Sequence, residues 1–410
     1  MKKPNDISRR SVLRSAGALP LAAAAQAQTR SKSVAVVGAG AFGGWTALHL
    51  LRRGYQVTLL DAWGPGNARS SSAGGESRVI RGSYGANQAY TQLVARALVL
   101  WRQNQAKWDT QLLHETGALF MASSEDDAQR ASMKALREVG LPFDHLTGPE
   151  AAKRFPQINF EGRDSMVFER QAGYLTSRRA CEVVMEGFVK EGGHYRGLAA
   201  KPGAIRSAEM QELLLSGGYT LRADQYVFAC GPWMGKVFPQ EIGPLIQPAR
   251  QIGLFFGLPR GVENLQEGAC PVWLDAGSYY GIPGNGFRGM KIVGHTLGDE
   301  YDPAHPWDPD RADRIAPPDR FAAPREYLGF RFPAMKGAPL VESFVCQYEN
   351  SPDENYILDR HPGCQNAWFA GGGSGHGFKN CPAVGELMAD LVEGKKSVPP
   401  LFALARFGGR

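Results

Sequence analysis

The sequence predicts an α/β fold whose chain opens, past a short leader, on a nucleotide-binding parallel sheet, and three observations predict it. A β-branched run, Ser33-Val34-Ala35-Val36-Val37, leads at once into Gly38-Ala39-Gly40-Ala41-Phe42-Gly43 and then a helical pattern over Trp45–Arg53. A second apolar run, Tyr55–Leu60, ends on an acid, Asp61. Further apolar runs flow into glycine-rich segments much later, at 226–233 and 367–379.

Each part of the opening unit has a mechanical reason. A continuous β-branched run suits a strand buried on both faces. Gly38 makes the tight turn, Gly40 lets backbone approach a pyrophosphate, and Gly43 lets helix and strand pack closely. The helix start offers unpaired N–H groups to phosphates, Phe42 lies within that turn, and Asp61 is placed to bond a ribose hydroxyl. One such unit does not separate NAD from FAD. The two later segments do, because nucleotide-facing pieces spread over the whole chain imply a flavoprotein with a discontinuous FAD domain.

Composition narrows the field. A chain of 410 residues suggests two intimately packed domains. Its 50 glycines, roughly 12% against a usual 7%, signal many tight turns and close backbone approaches. The net charge of +6 falls to +2 once the +4 of residues 1–27 is set aside. No basic, aromatic-interleaved patch remains, so nucleic acid is not the expected partner. Six scattered cysteines contain no CxxC pair and make neither a disulfide framework nor a zinc ribbon. His361 and Cys364, near His376 and Cys381, read as loop residues beside a Pro-Gly turn, and no metal is expected.

Residues 1–27 read as an address. Ser8-Arg9-Arg10-Ser11-Val12-Leu13 is a twin-arginine pattern, Ala16–Ala25 a weakly apolar stretch, and Ala25-Gln26-Ala27 a small-x-small cleavage signal. The apolar stretch is far short of the roughly 20 residues that cross a bilayer. The expectation is export of a folded, cofactor-loaded protein to the periplasm by the twin-arginine machinery, without stable membrane insertion.

Beyond these features the chain resembles a known family. Ser77-Arg-Val-Ile-Arg81, Tyr280-Gly-Ile-Pro283, Lys291-Ile-Val-Gly-His295, Cys346-Gln-Tyr348, Asp359-Arg-His-Pro362 and Ser374-Gly-His-Gly-Phe-Lys379 occur in the order seen in the D-amino-acid-oxidase superfamily. Within it the chain is similar to the monomeric sarcosine oxidase branch, which includes N-methyltryptophan and peroxisomal sarcosine/pipecolate oxidases. The resemblance runs from about Ser33 to Phe407. It implies a Rossmann-like FAD domain (31–88, 160–237 and 336–398) interleaved with an antiparallel-sheet α+β substrate domain (89–159 and 238–335). A C-terminal tail, 399–410, follows. A monomer is expected.

Residue by residue, the resemblance implies that Cys346 holds FAD through a thioether and that Arg81 and Lys379 grip a substrate carboxylate. It makes Tyr280 and His295 flank the substrate, Lys291 the site of oxygen activation, and Arg78 a flavin-adjacent arginine. Ser77, Gly373, Ser374, Gly375, His376, Gly377 and Lys379 would contact the cofactor. Two departures stand out. Ala73-Gly74 replaces a histidine this branch usually carries ahead of its glycine, and 299–325, rich in Pro, Asp and Arg, matches poorly. Both bear on pocket shape and so on the substrate.

The same residues make chemical sense alone. A carboxylate clamp wants Arg or Lys, Arg being able to bind bidentately. Lys291 and His295 are four apart, which puts them on one side of a strand. Ser374-Gly375-His376-Gly377 lacks the GxSxG spacing of a hydrolase elbow, leaving His376 structural or a flavin contact. The implied reaction is hydride transfer from the carbon beside a neutral secondary amine, giving an imine, with O2 reduced to H2O2. Two rivals stay open: a flavin dehydrogenase of the same fold that passes electrons to a quinone or carrier, and a non-catalytic FAD-binding protein.

Overall fold

A six-stranded sheet carries the opening unit. Its order is Ile357–Arg360, Ala367–Gly371, Gln225–Phe228, Ser33–Val37, Gln56–Leu60 and His194–Arg196, parallel throughout except for the Ile357–Arg360 edge. The computed structural model describes residues 32–67, 69, 75–286, 288–294, 307–311 and 314–408. The twin-arginine segment and its cleavage signal lie outside the described residues, as do His295 and Ala73-Gly74.

Both faces of this sheet are covered, which is why its strands read as unbroken apolar runs. Val34, Val36, Val57, Leu59 and Val227 point one way, into Trp45, Leu48, Val184 and Val384 of three helices, Ala41–Arg52, Ser177–Lys190 and Cys381–Val392. Ala35, Val37, Leu60, Tyr226 and Phe228 point the other way, onto Phe238 and Ile242. Helix Cys381–Val392 lies so close to the first helix that a Cβ on Gly385 would sit 2.6 Å from the Trp45 backbone.

A second sheet has eight strands, in the order Leu340–Asn350, Gln247–Phe256, Met290–Gly294, Tyr279–Ile282, Val272–Asp275, Ala118–Ala122, Ser165–Glu169 and Phe143–Thr147. It is antiparallel apart from the parallel pairing of Val272–Asp275 with Ala118–Ala122. Two of its strands, Ser165–Glu169 and Leu340–Asn350, come from stretches that the sequence assigns to the FAD domain. The chain from Lys32 onward forms one compact unit.

Alternation sorts the eight-stranded sheet into a core face and a working face. Ile252, Leu254, Phe256, Met290, Ile292 and Val345 pack into one apolar cluster. Their neighbours in sequence, Phe255, Val293, Phe344, Cys346 and Tyr348, pack with Tyr280 on the opposite face. A short strand, Arg78–Ile80, pairs with Gly173–Leu175 and brings Arg78 toward that face. Among the described residues no helix is long and apolar enough to cross a membrane. All six cysteines are free thiols.

Candidate active site

The three glycines of the first turn meet three different surroundings. Gly38 adopts φ +106°, and a Cβ there would lie 2.2 Å from the carbonyl oxygen of Ala229. A Cβ on Gly43 would lie 1.9 Å from the carbonyl oxygen of Gly38, so this glycine permits helix–strand contact. Gly40 has nothing within 4 Å of where its Cβ would be. It faces a cavity of about 630 Å³, whose walls also include Gly38, Phe42, Asp61, Trp233, Tyr348 and Gly375.

Asp61 closes the second strand with its carboxylate tied down. Oδ2 accepts from the backbone N–H of Ala39 at 2.7 Å, and Oδ1 from Trp63 and Gly64, both at 2.8 Å. Burial pushes its pKa up, while those three N–H groups pull the other way. The carboxylate thereby braces the Gly38–Gly40 turn as well as lining the cavity. An adenine dinucleotide fits this architecture: an open backbone approach at Gly40, a helix start beside it, and an acid at the second strand end. Gly373, Gly375 and Gly377 line the same cavity from the chain's far end.

Where the cavity reaches Arg78 and Tyr348, it meets the working face of the eight-stranded sheet. Register explains the convergence there. Phe344 lies opposite Gly253, which lies opposite Val293, which lies opposite Tyr280. Lys291 lies between Phe255 and Ile282, and Cys346 opposite Gln251. Gly253 leaves room for the Phe344 ring, which a Cβ would meet at 2.0 Å. Arg78 is half-buried here. Desolvation works against its charge, but Cys346, Tyr280 and Tyr348 outweigh it and raise its pKa further. Burial, then Tyr348, pushes the Tyr280 hydroxyl well above its ordinary range.

Lys291 is 1% exposed. Its Nζ donates to the carbonyl oxygens of Gly75 at 3.0 Å and Ser77 at 2.8 Å, and to Ser77 Oγ at 3.4 Å. Nζ also sits 4.8 Å from the Phe344 ring centroid. Burial, followed by Arg78, lowers its pKa well below the usual lysine value. Lys291 is therefore both a member of the site and the peg that holds the Gly75–Arg78 loop against the sheet.

Arg81 and Lys379 converge on a third residue, Tyr84. The Arg81 guanidinium lies 4.9 Å and Lys379 Nζ 5.2 Å from its ring centroid. Lys379 Nζ donates to Tyr84 Oη at 2.8 Å and to the His376 carbonyl at 2.9 Å, and Arg81 donates to the Ser83 carbonyl. Burial, then Arg81, drives the Lys379 pKa well down, with Glu169 opposing. Neither cation lines the large cavity, and neither does His376. The latter's Nε2 bonds the Glu354 carbonyl at 3.0 Å, and its Nδ1 faces the hydroxyls of Tyr84 and Tyr356, each at 3.2 Å. Burial lowers its pKa to about 3, so it is a neutral, satisfied ring within an aromatic cluster. Ser374, at φ +43°, accepts from the Ser351 backbone N–H at 3.1 Å and shapes the loop from behind.

Residues that sequence reasoning passed over complete the picture. Buried Glu169 accepts from Gly82 N at 2.6 Å, from Ser83 N at 3.0 Å and from Ser83 Oγ at 2.5 Å, fixing the turn after Arg81. Nothing local announces it, since it lies 86 to 87 residues away. Glu349 lines the cavity one residue beyond the Cys346-Gln-Tyr348 motif, where a lone acid was a readable signal. Part of the poorly matched 299–325 segment also reaches the cavity: Asp310 lines it, accepting from Trp233 Nε1 at 2.7 Å and Lys236 Nζ at 2.5 Å. His361 and Cys364 find partners of their own, Cys364 Sγ at 3.1 Å from Asn366 Oδ1 and His361 Nε2 at 3.5 Å from Glu241.

Comparison with known proteins agrees with this geometry. The family model described as FAD dependent oxidoreductase (DAO) matches residues 33–391. The chain is 31% identical to a monomeric sarcosine oxidase of Arthrobacter sp. (strain TE1826), over 88% of this chain and 92% of that one. It is 27% identical to a peroxisomal sarcosine oxidase of Mus musculus, over 91% and 94%. Among solved structures, a modified fructosyl peptide oxidase from Aspergillus nidulans superposes with a TM-score of 0.79 at 21% identity, covering 93% of this chain and 94% of that one. With the dinucleotide crevice, the interleaved sheets and these matches in agreement, the chain belongs to the FAD dependent oxidoreductase (DAO) family.

Proposed function

We propose that this protein oxidises a small amino acid bearing a secondary amine, of the sarcosine, N-methyl amino acid or pipecolate type, to its imine, reducing O2 to H2O2. The observation that carries the proposal is the pairing of two cations, half-buried Arg81 and buried Lys379, on one Tyr84 ring near a sheet face that presents Tyr280, Lys291 and Cys346. The bound FAD supplies the hydride acceptor.

The chain's own residues do the rest. Lys379 uses two donors on Tyr84 and on the His376 carbonyl, which leaves a third for a substrate oxygen. A carboxylate between Arg81 and Lys379 relieves their mutual repulsion, so binding is selective for acids. The same cations lower the pKa of the substrate ammonium and favour the neutral amine that can release hydride. Tyr280 and Tyr348 wall the cleft with apolar rings and polar tips. The Lys291 ammonium, pegged on Gly75 and Ser77, places positive charge where negative charge develops on oxygen. Cys346, buried beside Arg78, is the thiol assigned to covalent attachment of FAD.

Anaerobic mixing of the purified yellow protein with sarcosine, N-methyl amino acids, proline, pipecolate and primary amino acids tests the reading. Bleaching by a secondary-amine acid, with O2 consumed on re-aeration, is expected. Bleaching without O2 uptake would convert the proposal to a dehydrogenase, and no bleaching by any amine would end it. Acid denaturation tests the thioether: colour that stays with the polypeptide supports Cys346, and colour that washes free removes it. Export by the twin-arginine route belongs to the same proposal, supported by the order of residues 8–27. Replacing Arg9 and Arg10 by Lys should retain the protein in the cytoplasm.

A further inference from the structure

We propose that Glu349 is a direct contact of the bound cofactor, a neutral carboxyl that donates a hydrogen bond from Oε2 to a cofactor oxygen and ties cofactor binding to pH. The inference rests on the cofactor being bound and not on the identity of the amine.

Position comes first. Glu349 follows Tyr348 on the Leu340–Asn350 strand, so its side chain leaves the face that carries Cys346 and Tyr348. It turns instead toward the C-terminal end of strand Ala367–Gly371. A Cβ on Gly371 would stand 3.3 Å from Oε2, and one on Gly373 would stand 3.1 Å from Oε1, so only glycines leave space for the carboxyl. The C-terminal ends of parallel strands are where ligands of such sheets bind. Glu349 lines the 630 Å³ cavity there, with Gly38, Gly40 and Cys230.

Satisfaction comes second. Oε2 is shielded from solvent and has no hydrogen-bond partner among the described residues, and no ion pair there includes Glu349. A buried polar oxygen left unpaired is destabilising, so a native carboxyl in this state needs a partner that arrives from outside the chain. A protonated carboxyl has one O–H to donate.

Electrostatics then sets its form. Burial lifts the Glu349 pKa to about 7, while the backbone of Gly373 and Gly372 pulls the other way. The groups that face it offer no compensating cation. Cys230 contributes a thiol whose own pKa Glu349 helps to raise, Pro248 lies opposite on the neighbouring strand, and Gly371–Gly373 carry no charge. Asp61, Arg78, Lys236, Asp310 and Tyr348 share the cavity wall, with Lys236 already paired to Asp308 and Asp310. A cofactor pyrophosphate brings further negative charge, which holds the proton on Glu349 more tightly. Raising pH beyond neutrality ionises the carboxyl against that charge.

The test compares purified holoprotein with Glu349→Gln and Glu349→Ala from pH 5.5 to 9. It follows the visible flavin absorption and the temperature at which flavin fluorescence appears on heating. Wild type should show a spectral step above neutrality and a flavin-exposure temperature that falls through the same interval. Glu349→Gln should show neither, and Glu349→Ala should expose flavin fluorescence at a lower temperature than wild type at pH 6. A purely structural role would move the melting of the protein and leave the flavin spectrum flat, which overturns the contact. The same step in wild type and Glu349→Gln, or no step in wild type, also overturns it. If neither variant folds, the wild-type spectrum alone decides. A purified protein with no flavin band refutes the cofactor reading itself, a different failure.

Discussion

The cofactor crevice and the working face of the eight-stranded sheet meet in one cavity but are built in opposite ways. The crevice is local: Gly38, Gly40, Gly43 and Asp61 lie within one strand–turn–helix–strand unit, and their roles follow from backbone geometry. The working face is assembled from Arg78, Tyr280, Lys291 and Cys346, which meet only through the register of strands far apart in sequence. Local construction makes a site tolerant of what surrounds it. Assembly by register makes each member depend on its neighbours, and there a single truncation is felt most.

The largest expected effect lies between the two regions, at the cation pair. Arg81→Ala or Lys379→Ala should weaken the apparent affinity for the best amino acid substrate by about 2–5 kcal/mol, as for other buried charged contacts. Loss of either cation also removes its repulsion of the other in the free protein, so the measured loss belongs to the substrate contact. Steady-state KM and kcat for acid and decarboxylated amines check this. An unchanged affinity would detach the pair from the substrate.

Next comes Lys291. Lys291→Met should slow reoxidation of the reduced protein by O2 by about 10²–10³-fold, comparable to removing an oxyanion donor, with anaerobic reduction slowed far less. The structure adds a complication, because Nζ also pegs the Gly75 and Ser77 carbonyls. Lys291→Gln keeps donors for that loop, so stopped-flow data on both variants separate the roles. Equal slowing of the two half-reactions would assign Lys291 to the loop alone.

The glycines of the crevice then divide stability from binding. Gly43→Ala forces a Cβ within 1.9 Å of the Gly38 carbonyl oxygen and should destabilise the protein by about 1–3 kcal/mol or more, as overpacking does. Gly40→Ala meets nothing within 4 Å and should leave thermal unfolding of the apoprotein nearly unchanged while weakening FAD binding. Melting of the flavin-free protein and the flavin content of each purified variant check it. Similar melting losses at both positions would mean that the turn does not face the cofactor.

These contrasts also explain what was legible in advance. The opening strand, turn and helix could be read because each residue acts on neighbours a few positions away. The face with Tyr280, Lys291 and Cys346 was reachable only through resemblance, since no local pattern reports that Phe344, Gly253, Val293 and Tyr280 share one cross-strand row. Glu169 left no trace at all, because its role is to hold Gly82 and Ser83 across the fold. His376 shows the reverse: its glycine-rich surroundings suggested a cofactor contact, but three tyrosine rings and a backbone carbonyl claim it.

That buried histidine leads to the smallest effect at neutral pH, and one that grows only in acid. His376 is held near pKa 3 by burial and then Lys379, and His49 near 4 by burial, although Glu386 opposes. Both folded values lie below the roughly 6.5 of an unfolded histidine. Their contribution to stability is therefore fully present above about pH 6.5 and is lost as pH falls toward the folded values, because the unfolded chain takes up protons that the fold refuses. At pH 5 the loss is about 2 kcal/mol for each histidine, and at pH 7 it is near zero. The two sit in different places, His49 on the first helix beneath the crevice and His376 in the aromatic cluster beside Lys379. Urea unfolding of His49→Gln and His376→Gln between pH 5 and 7.5 therefore distinguishes them. Each variant should unfold with a shallower pH slope than wild type over this range. A slope unchanged in His376→Gln would mean that the ring takes up a proton in the fold as readily as in the unfolded chain, and the neutral cluster around Tyr84 would have to be redrawn.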